Sequence, residues 1–255
     1  MFRYSCYLLF VLCIVSCVSK KETETTTDST TVSQTTDTLA VASGPWLDLD
    51  IEHIKTYSYT DTTITFADPA YNGPHDLEEP ESIKTDSRVK RTEEGLIFKL
   101  KNGQTKTLKN TDTQDQDYAS YVFQKKFDDV NQWLVFAIFF ESHGFVMIDQ
   151  NDGTETWMWS EPTFSPDKKY FLCGSADIEA GFVPNGFQLW TFQDGKPTKL
   201  WDKELTDWGA ESLIWAKDDV VFGNQVYRDA ELGEANQRIV RMKLFWNSSP
   251  KSPAP

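Results

Sequence analysis

The feature that most constrains the fold is a two-residue alternation of apolar and polar side chains, in short runs separated by turn residues. Residues 95–100 and 104–108 show it on either side of Asn102-Gly103. An Asn-Gly pair between two alternating runs is a strong signal for a β-hairpin. No 3.6-residue periodicity extends beyond about two helical turns. The sequence therefore predicts antiparallel strands.

Other runs extend this pattern. Residues 133–140 are continuously apolar, as expected for a central strand covered on both faces. Residues 57–66 alternate and are rich in Thr and aromatic residues, which predicts an early strand. Residues 68–91 contain several Pro and many charged residues, which predicts a long loop.

The predicted strands group into a loose repeat of about 45 residues. The units are residues 118–159, 161–205 and 208–246, and the second is the clearest. It contains Phe164-Ser165-Pro166-Asp167, where Pro presets φ and the Ser and Asp side chains can bond nearby backbone N–H groups. The segment is therefore a turn between two strands.

Phe164-Ser165-Pro166-Asp167 resembles an element of WD40-like β-propeller repeats. The resemblance implies an all-β fold of antiparallel, propeller-like blades. At about 42 residues per blade, the domain would need four to five blades. Only three units are legible, so a β-sandwich and an open, incomplete propeller remain alternatives.

The N-terminus has the layout of an export signal. Arg3 precedes an apolar run over residues 7–15, which is shorter than the ~20 residues a membrane-spanning helix needs. The run ends in Ile14-Val15-Ser16-Cys17, which resembles the lipobox of bacterial lipoproteins. The resemblance implies cleavage before Cys17 and attachment of lipid to it. Multiple acyl chains would hold the protein stably in the cell envelope.

We therefore expect a lipid-anchored protein at the outer membrane, on either the periplasmic or the surface face. Residues 1–16 are the predicted signal peptide, and residues 17–44 are the lipidated Cys with a disordered, Thr-rich tether. As a flexible coil, the tether would span roughly 25–30 Å. Residues 45–246 form the predicted propeller-like domain, and residues 247–255 a disordered tail.

Cysteine usage fits this division. Cys6 and Cys13 lie in the segment predicted to be removed, which leaves Cys17 and Cys173. If Cys17 is acylated, no intramolecular disulfide can form. Cys173 follows the strand-like residues 170–172, and we expect it to be a buried, inert thiol.

The sequence predicts no catalytic residues, no cofactor and no metal site. The three histidines, His53, His75 and His143, are widely spaced, and no zinc-binding or nucleophile motif occurs. The net charge of −14 disfavours nucleic acid and anionic head groups as partners. This negative charge instead favours a highly soluble protein or binding to a basic partner.

Aromatic residues are the remaining indication of a binding role. All nine Trp lie between residues 46 and 246, and we expect most of them to pack inside the domain. The candidate binding aromatics are Trp157, Trp159, Trp190 and Trp208.

These observations favour a non-enzymatic envelope lipoprotein that binds another envelope protein, as a scaffold or accessory subunit. One alternative is a surface lipoprotein that binds glycans through exposed Trp residues. Another is a hydrolase whose carboxylates come together only in the fold.

Overall fold

Strands make up nearly all of the regular structure in a computed structural model of the chain, and they form four antiparallel sheets, none of which closes on itself. The predicted all-β class is therefore confirmed. The structure describes residues 46–60, 64, 66, 79–217, 219–229 and 233–247, all within the unit Ser43–Ala254. The predicted signal peptide, Cys17, the tether and the tail after residue 247 lie outside the described residues.

Two sheets come from the first half of the described chain. Sheet I has the strand order β2-β3-β4, with β2 Val89–Thr92, β3 Gly95–Lys99 and β4 Thr105–Lys109. Sheet II has the order β5-β6-β7-β8, with β5 Ala119–Phe127, β6 Gln132–Phe139, β7 His143–Asp149 and β8 Glu155–Met158. One short helix, α1 Glu79–Lys84, precedes sheet I.

The other two sheets follow the same up-and-down pattern. Sheet III pairs β12-β11-β10-β9, with β9 Thr163–Phe164, β10 Tyr170–Ser175, β11 Gly186–Gln193 and β12 Lys196–Glu204. Sheet IV pairs β13-β14-β15 with the first strand of the chain: β13 Trp208–Lys217, β14 Val220–Arg228, β15 Ala235–Asn247 and β1 Trp46–Tyr57. Strand β1 therefore completes the last sheet.

Three hydrophobic clusters hold the sheets together face to face. The first joins sheets I and II through residues such as Phe98 and Trp133. The second joins sheets II and III through residues such as Leu134 and Phe171. The third joins sheets III and IV, where Leu189 is a member. Among the described residues, no cluster joins sheet I to sheet IV, so sheets II and III bury both faces and the outer sheets bury one.

Strand β6 shows why its sequence is continuously apolar. Trp133 and Val135 belong to the cluster shared with sheet I, whereas Leu134 and Phe136 belong to the cluster shared with sheet III. Successive side chains of a strand point to opposite faces, so a strand covered on both faces needs an apolar residue at every position. The prediction of a two-sided central strand is confirmed.

The repeat units and the hairpin correspond to observed sheets. The three units of about 45 residues become sheet II, sheet III and the β13–β15 part of sheet IV. The hairpin predicted around Asn102-Gly103 joins β3 to β4.

Two local predictions were wrong. The early strand predicted over residues 57–66 is absent at the described residues 58–60, 64 and 66, whereas residues 61–63 and 65 lie outside the described residues. Strand β1 ends at Tyr57 and begins at Trp46, because pairing with β15 selects the earlier segment. The loop predicted over residues 68–91 contains α1 and the start of β2 in its described part, residues 79–91, and its residues 68–78 lie outside the described residues. Glu79 on α1 forms an ion pair with Arg91 on β2 and accepts a 2.6 Å bond from the Phe123 backbone N–H, which docks the helix on sheet II.

The sheets are aligned so that the domain has two distinct ends. We call the end where Trp46 pairs with Asn247 the terminal end, and the opposite end, which carries the turns that connect one sheet to the next, the loop end. At the terminal end, turns of neighbouring sheets are hydrogen-bonded to each other: the Lys101 backbone N–H of sheet I donates to the Gln150 carbonyl of sheet II over 2.8 Å. At the loop end, Arg228 donates to the Ile178 carbonyl over 3.1 Å.

A buried polar network secures sheet I to sheet II. Asp86 is 6% exposed and accepts bonds from the Arg88 side chain and, over 2.9 Å, from the Trp133 indole N–H. Arg88 also lies 4.9 Å from the Trp133 ring centroid and donates to Gln150. Burial alone would raise the pKa of Asp86, but the bonds from Arg88 and Trp133 outweigh it and lower the pKa to about 2.

We expect Asp86→Ala to lower the free energy of unfolding by about 3 kcal/mol, because Arg88 would keep its charge in a mostly buried site without its partner. Urea denaturation measures the loss. Glu81→Ala is the control, since Glu81 pairs with Lys84 at the surface, and it should cost less than about 1 kcal/mol. Because the pKa of Asp86 is lowered in the folded state, its stabilisation is full above about pH 4 and fades as the pH falls towards 2. Equal losses in both variants would contradict a structural role for the network.

Candidate functional site: the loop end

The turns at the loop end are acidic. In their described residues they contain Asp and Glu but no Lys or Arg: Glu93, Glu94, Asp112, Asp115, Asp117, Glu141, Glu161, Asp177, Glu179, Asp207, Asp229 and Glu234. The turns at the terminal end mix both signs and pair them, as in Lys196 with Asp152 at 2.6 Å and Lys168 with Asp129. Most of the negative charge of the described turns therefore lies at the loop end.

Exposed large apolar side chains are also concentrated there. Four lie at or near the loop end, namely Tyr59, Phe140, Trp157 and Phe182, and two lie at the terminal end, namely Phe245 and Trp246. Phe140 and Phe182 are 48% and 53% exposed, and they lie in the turns that follow β6 and β10. Exposed apolar groups within a polar rim are typical of binding surfaces.

An aromatic platform, formed by Tyr121, Phe139 and Trp157, lies on the face of sheet II that sheet I covers incompletely. The Phe139 and Trp157 ring centroids are 5.8 Å apart, and those of Tyr121 and Phe139 are 6.4 Å apart. Strands β5 and β6 have nine and eight residues, whereas those of sheet I have four or five. The part of this face nearest the loop end is therefore left partly open, and Trp157 is 41% exposed.

Polar groups flank the platform. The Trp157 indole N–H donates to a Glu155 carboxylate oxygen over 3.1 Å, and Glu155 forms a 2.6 Å ion pair with Lys106 of sheet I. Burial, followed by the charge of Glu155, raises the pKa of Tyr121. Because Glu155 occupies the indole N–H, the Trp157 ring is held in place and can offer a ligand mainly its apolar surface.

The carboxylate of Asp177 accepts several backbone hydrogen bonds within the loop that carries Phe182. Asp177 accepts bonds from the backbone N–H groups of Phe182 and Val183 over 2.7 and 3.0 Å, and from that of Ala180 over 3.2 Å. Burial alone would raise the pKa of Asp177, but these N–H groups outweigh it and lower the pKa. Phe182 therefore projects from an ordered loop, which reduces the entropy lost when a partner contacts it.

The structure separates the four Trp residues selected from the sequence. Trp157 belongs to the platform. Trp159 follows β8 and is half-buried, and its backbone N–H donates to Gln188 of sheet III over 3.0 Å. Trp190 is 6% exposed and stacks on Phe171 between sheets II and III. Trp208 is half-buried, with its ring centroid 5.6 Å from that of Phe187.

Sequence reasoning missed Tyr121, Phe139, Phe140 and Phe182. Phe140 precedes a turn at Glu141-Ser142, so its position at a strand end was a usable signal. Tyr121 and Phe139 had no such signal, because their exposure depends on the length of a different sheet.

The structure also locates the cysteine and histidine residues that could take part in chemistry. Cys173 is fully buried between sheets II and III, and burial raises the pKa of its thiol far above the usual range, so it is not a thiolate nucleophile. His53 lies 3.2 Å from Asp50 at the surface, and His75 lies outside the described residues. Within the described ranges, no group of three His, Cys, Asp or Glu side chains is arranged to hold a metal ion.

Comparisons of the chain with protein-family models, with curated proteins and with solved structures gave no match. In the part of the chain that the structure describes, no helix has the length and apolar character needed to cross a membrane.

We expect Asp177→Ala to release the Phe182 loop while leaving the sheets intact. Loss of bonds to a charged acceptor should weaken local protection by about 2 kcal/mol, seen as faster hydrogen exchange at the Phe182 and Val183 amides. Since the pKa of Asp177 is lowered in the folded state, wild-type protection of these amides should fade as the pH falls below about 4. Glu179→Ala, at an exposed position in the same loop, should change neither amide. Unchanged exchange in Asp177→Ala would show that the carboxylate does not order the loop.

Proposed function

We propose that this chain is a lipid-anchored envelope protein that acts by binding, and that its loop end docks a partner protein. The observation that carries the proposal is the coincidence at one end of exposed aromatic side chains and unbalanced negative charge. Aromatic residues are enriched in the buried centres of protein interfaces, and charge of one sign selects and steers the partner. The partner surface that fits is apolar at its centre and basic at its rim.

The location of the first and last described residues, Trp46 and Asn247, supports docking at the loop end. Trp46 and Asn247 pair at the terminal end, and Trp46 lies two residues after the predicted tether, which ends at residue 44. The predicted tether would therefore join the domain at the end opposite the loop end. We propose anchoring at the outer membrane, on the periplasmic or the surface face.

We also propose that the four sheets form an open, propeller-like stack. Each of sheets II and III is a four-stranded meander from consecutive strands, and sheet IV becomes four-stranded by recruiting β1. Successive meanders packed face to face are the repeating unit of propellers. The outer faces of sheets I and IV share no hydrophobic cluster among the described residues, which favours the open form over a closed ring.

A pull-down from native envelope in mild detergent tests the binding role. We expect the full-length chain to recover a stoichiometric partner, and the double substitution Phe140→Ala with Phe182→Ala to reduce its recovery by at least tenfold, as loss of about 2 kcal/mol at a hot spot implies.

The matched control is Phe245→Ala, which removes an exposed Phe from the opposite end. It should leave recovery of the partner unchanged. A purification that yields no partner, or a partner lost equally from the double variant and from Phe245→Ala, would refute docking at the loop end.

The anchor is tested by Cys17→Ser. We expect this variant to move from the membrane to the soluble fraction and to lack the added mass of acyl chains, because the lipid is attached through that sulfur. Cys13→Ser, within the segment predicted to be removed, should stay membrane-bound. A membrane-bound, unacylated Cys17→Ser protein would rule out this anchor.

Glycan binding is the second candidate, and the aromatic platform favours it. Trp157 offers a partly open ring next to the charged pair Glu155 and Lys106, a combination of apolar surface and hydrogen-bonding groups that suits a sugar. Quenching of tryptophan fluorescence by neutral polysaccharides, lost in Trp157→Phe, would support it. Absence of quenching across a broad panel would exclude it.

A further inference from the structure

The outer face of sheet I carries positive charge, although the chain as a whole has a net charge of −14. Val89, Leu96, Phe98 and Leu108 are buried against sheet II. Residues between them in each strand point the other way, because successive side chains of a strand alternate. We call this outward set the lysine face: Lys90, Thr92, Ile97, Lys99, Thr105, Thr107 and Lys109.

No acidic residue belongs to the lysine face, and its lysines are exposed. Nine other lysines of the described chain form ion pairs with carboxylates. Lys90, Lys99 and Lys109 form none with any residue that the structure describes. Three lysines that have no ion pair with a described residue thus lie together on one small sheet, in a chain with a net charge of −14.

The register fixes the spacing of these cations. Lys90 pairs with Ile97 and Thr107 in one row, Lys109 lies in the row of Thr92 and Gly95, and Lys99 pairs with Thr105. Strands lie about 4.8 Å apart, and alternate residues of a strand about 7 Å apart, so neighbouring lysine Cα atoms are roughly 8–14 Å apart. The hydroxyls of Thr105 and Thr107 can donate and accept hydrogen bonds, whereas that of Thr92 donates to the Gly95 carbonyl over 3.1 Å and can only accept.

We propose that the lysine face binds an anionic polysaccharide, with its acidic groups on the lysines and its hydroxyls on the threonines. This goes beyond the partner binding proposed above and uses none of the same residues. The sheet is three strands wide, about 10–15 Å, which is enough for one extended polymer chain. Such a chain can cover the lysine face alone, because the acidic turn Glu93-Glu94 lies at the edge of the face, next to Thr92 and Lys109.

A flat anionic membrane fits this face less well. It would extend past the edge of sheet I and meet acidic residues such as Glu93 and Glu94 in the adjoining turn. The face also lacks an exposed aromatic residue that could enter the head-group region, since its one large apolar residue, Ile97, is half-buried.

Binding of polygalacturonate to the purified full-length chain at low ionic strength tests the proposal, with neutral dextran as the uncharged probe. We expect polygalacturonate to bind, dextran not to bind, and affinity to fall as salt is added. The triple substitution Lys90→Gln, Lys99→Gln and Lys109→Gln should weaken binding by at least about tenfold, because three counterion-releasing contacts are lost.

The chain offers a control with the same change in net charge. Lys55, Lys217 and Lys243 are exposed, form no ion pair among the described residues and lie on sheet IV. Their triple substitution to Gln should leave affinity within about twofold, because only the local charge of the face matters. Circular dichroism and thermal unfolding should be the same for both triples.

Three results would overturn the proposal. One is no binding of polygalacturonate by the wild-type chain. Another is equal weakening by the two triples, which would indicate attraction by overall charge alone. The third is tighter binding of phosphatidylglycerol vesicles or of single-stranded DNA than of polygalacturonate, which would assign the face to a membrane or to nucleic acid. Failure of the envelope pull-down would leave this result unaffected, since the loop end and the lysine face share no residue.

Discussion

The structure depends on burying both faces of sheets II and III. An antiparallel sheet with one apolar face needs a single cover, but a strand such as β6, which is apolar at every position after Gln132, needs two. Sheet I covers one face of sheet II and sheet III covers the other, while sheet IV covers the second face of sheet III. The outer sheets can then keep a polar outer face, which is why the lysine face can exist on sheet I without loss of core.

The alignment of the sheets gives the domain two chemically different ends. At the terminal end, turns of neighbouring sheets are tied by pairs such as Lys196 with Asp152. At the loop end the described residues of the turns include acidic side chains and no Lys or Arg, and Phe140 and Phe182 remain exposed. Charge repulsion and exposed apolar surface both cost stability in the free protein, and a basic, apolar partner would relieve both. The binding role proposed here follows from that combination.

Local signals predicted much of the sheet structure. Asn102-Gly103 specified a hairpin, and the apolar run at 133–140 specified a strand covered twice, because both signals act within one or two strands. The pairing of β1 with β15 could not be read locally, since its register joins residues nearly the whole chain apart. The alternating residues 57–66 were an equally good strand by pattern, and only the partner strand decided between them. Of the candidate site, Trp157 was found, whereas Tyr121 and Phe139 were missed because their exposure depends on the shortness of sheet I.

The sequence by itself determined the all-β class, the repeating strand units, the excess of acidic residues and the burial expected of Cys173, because alternation, turn chemistry and composition are local properties. The tertiary structure alone decided which Trp residues reach the surface, which lysines lack a carboxylate partner and at which end the acids gather. Those properties depend on which sheet covers which face, and that is settled by contacts between residues far apart in the chain.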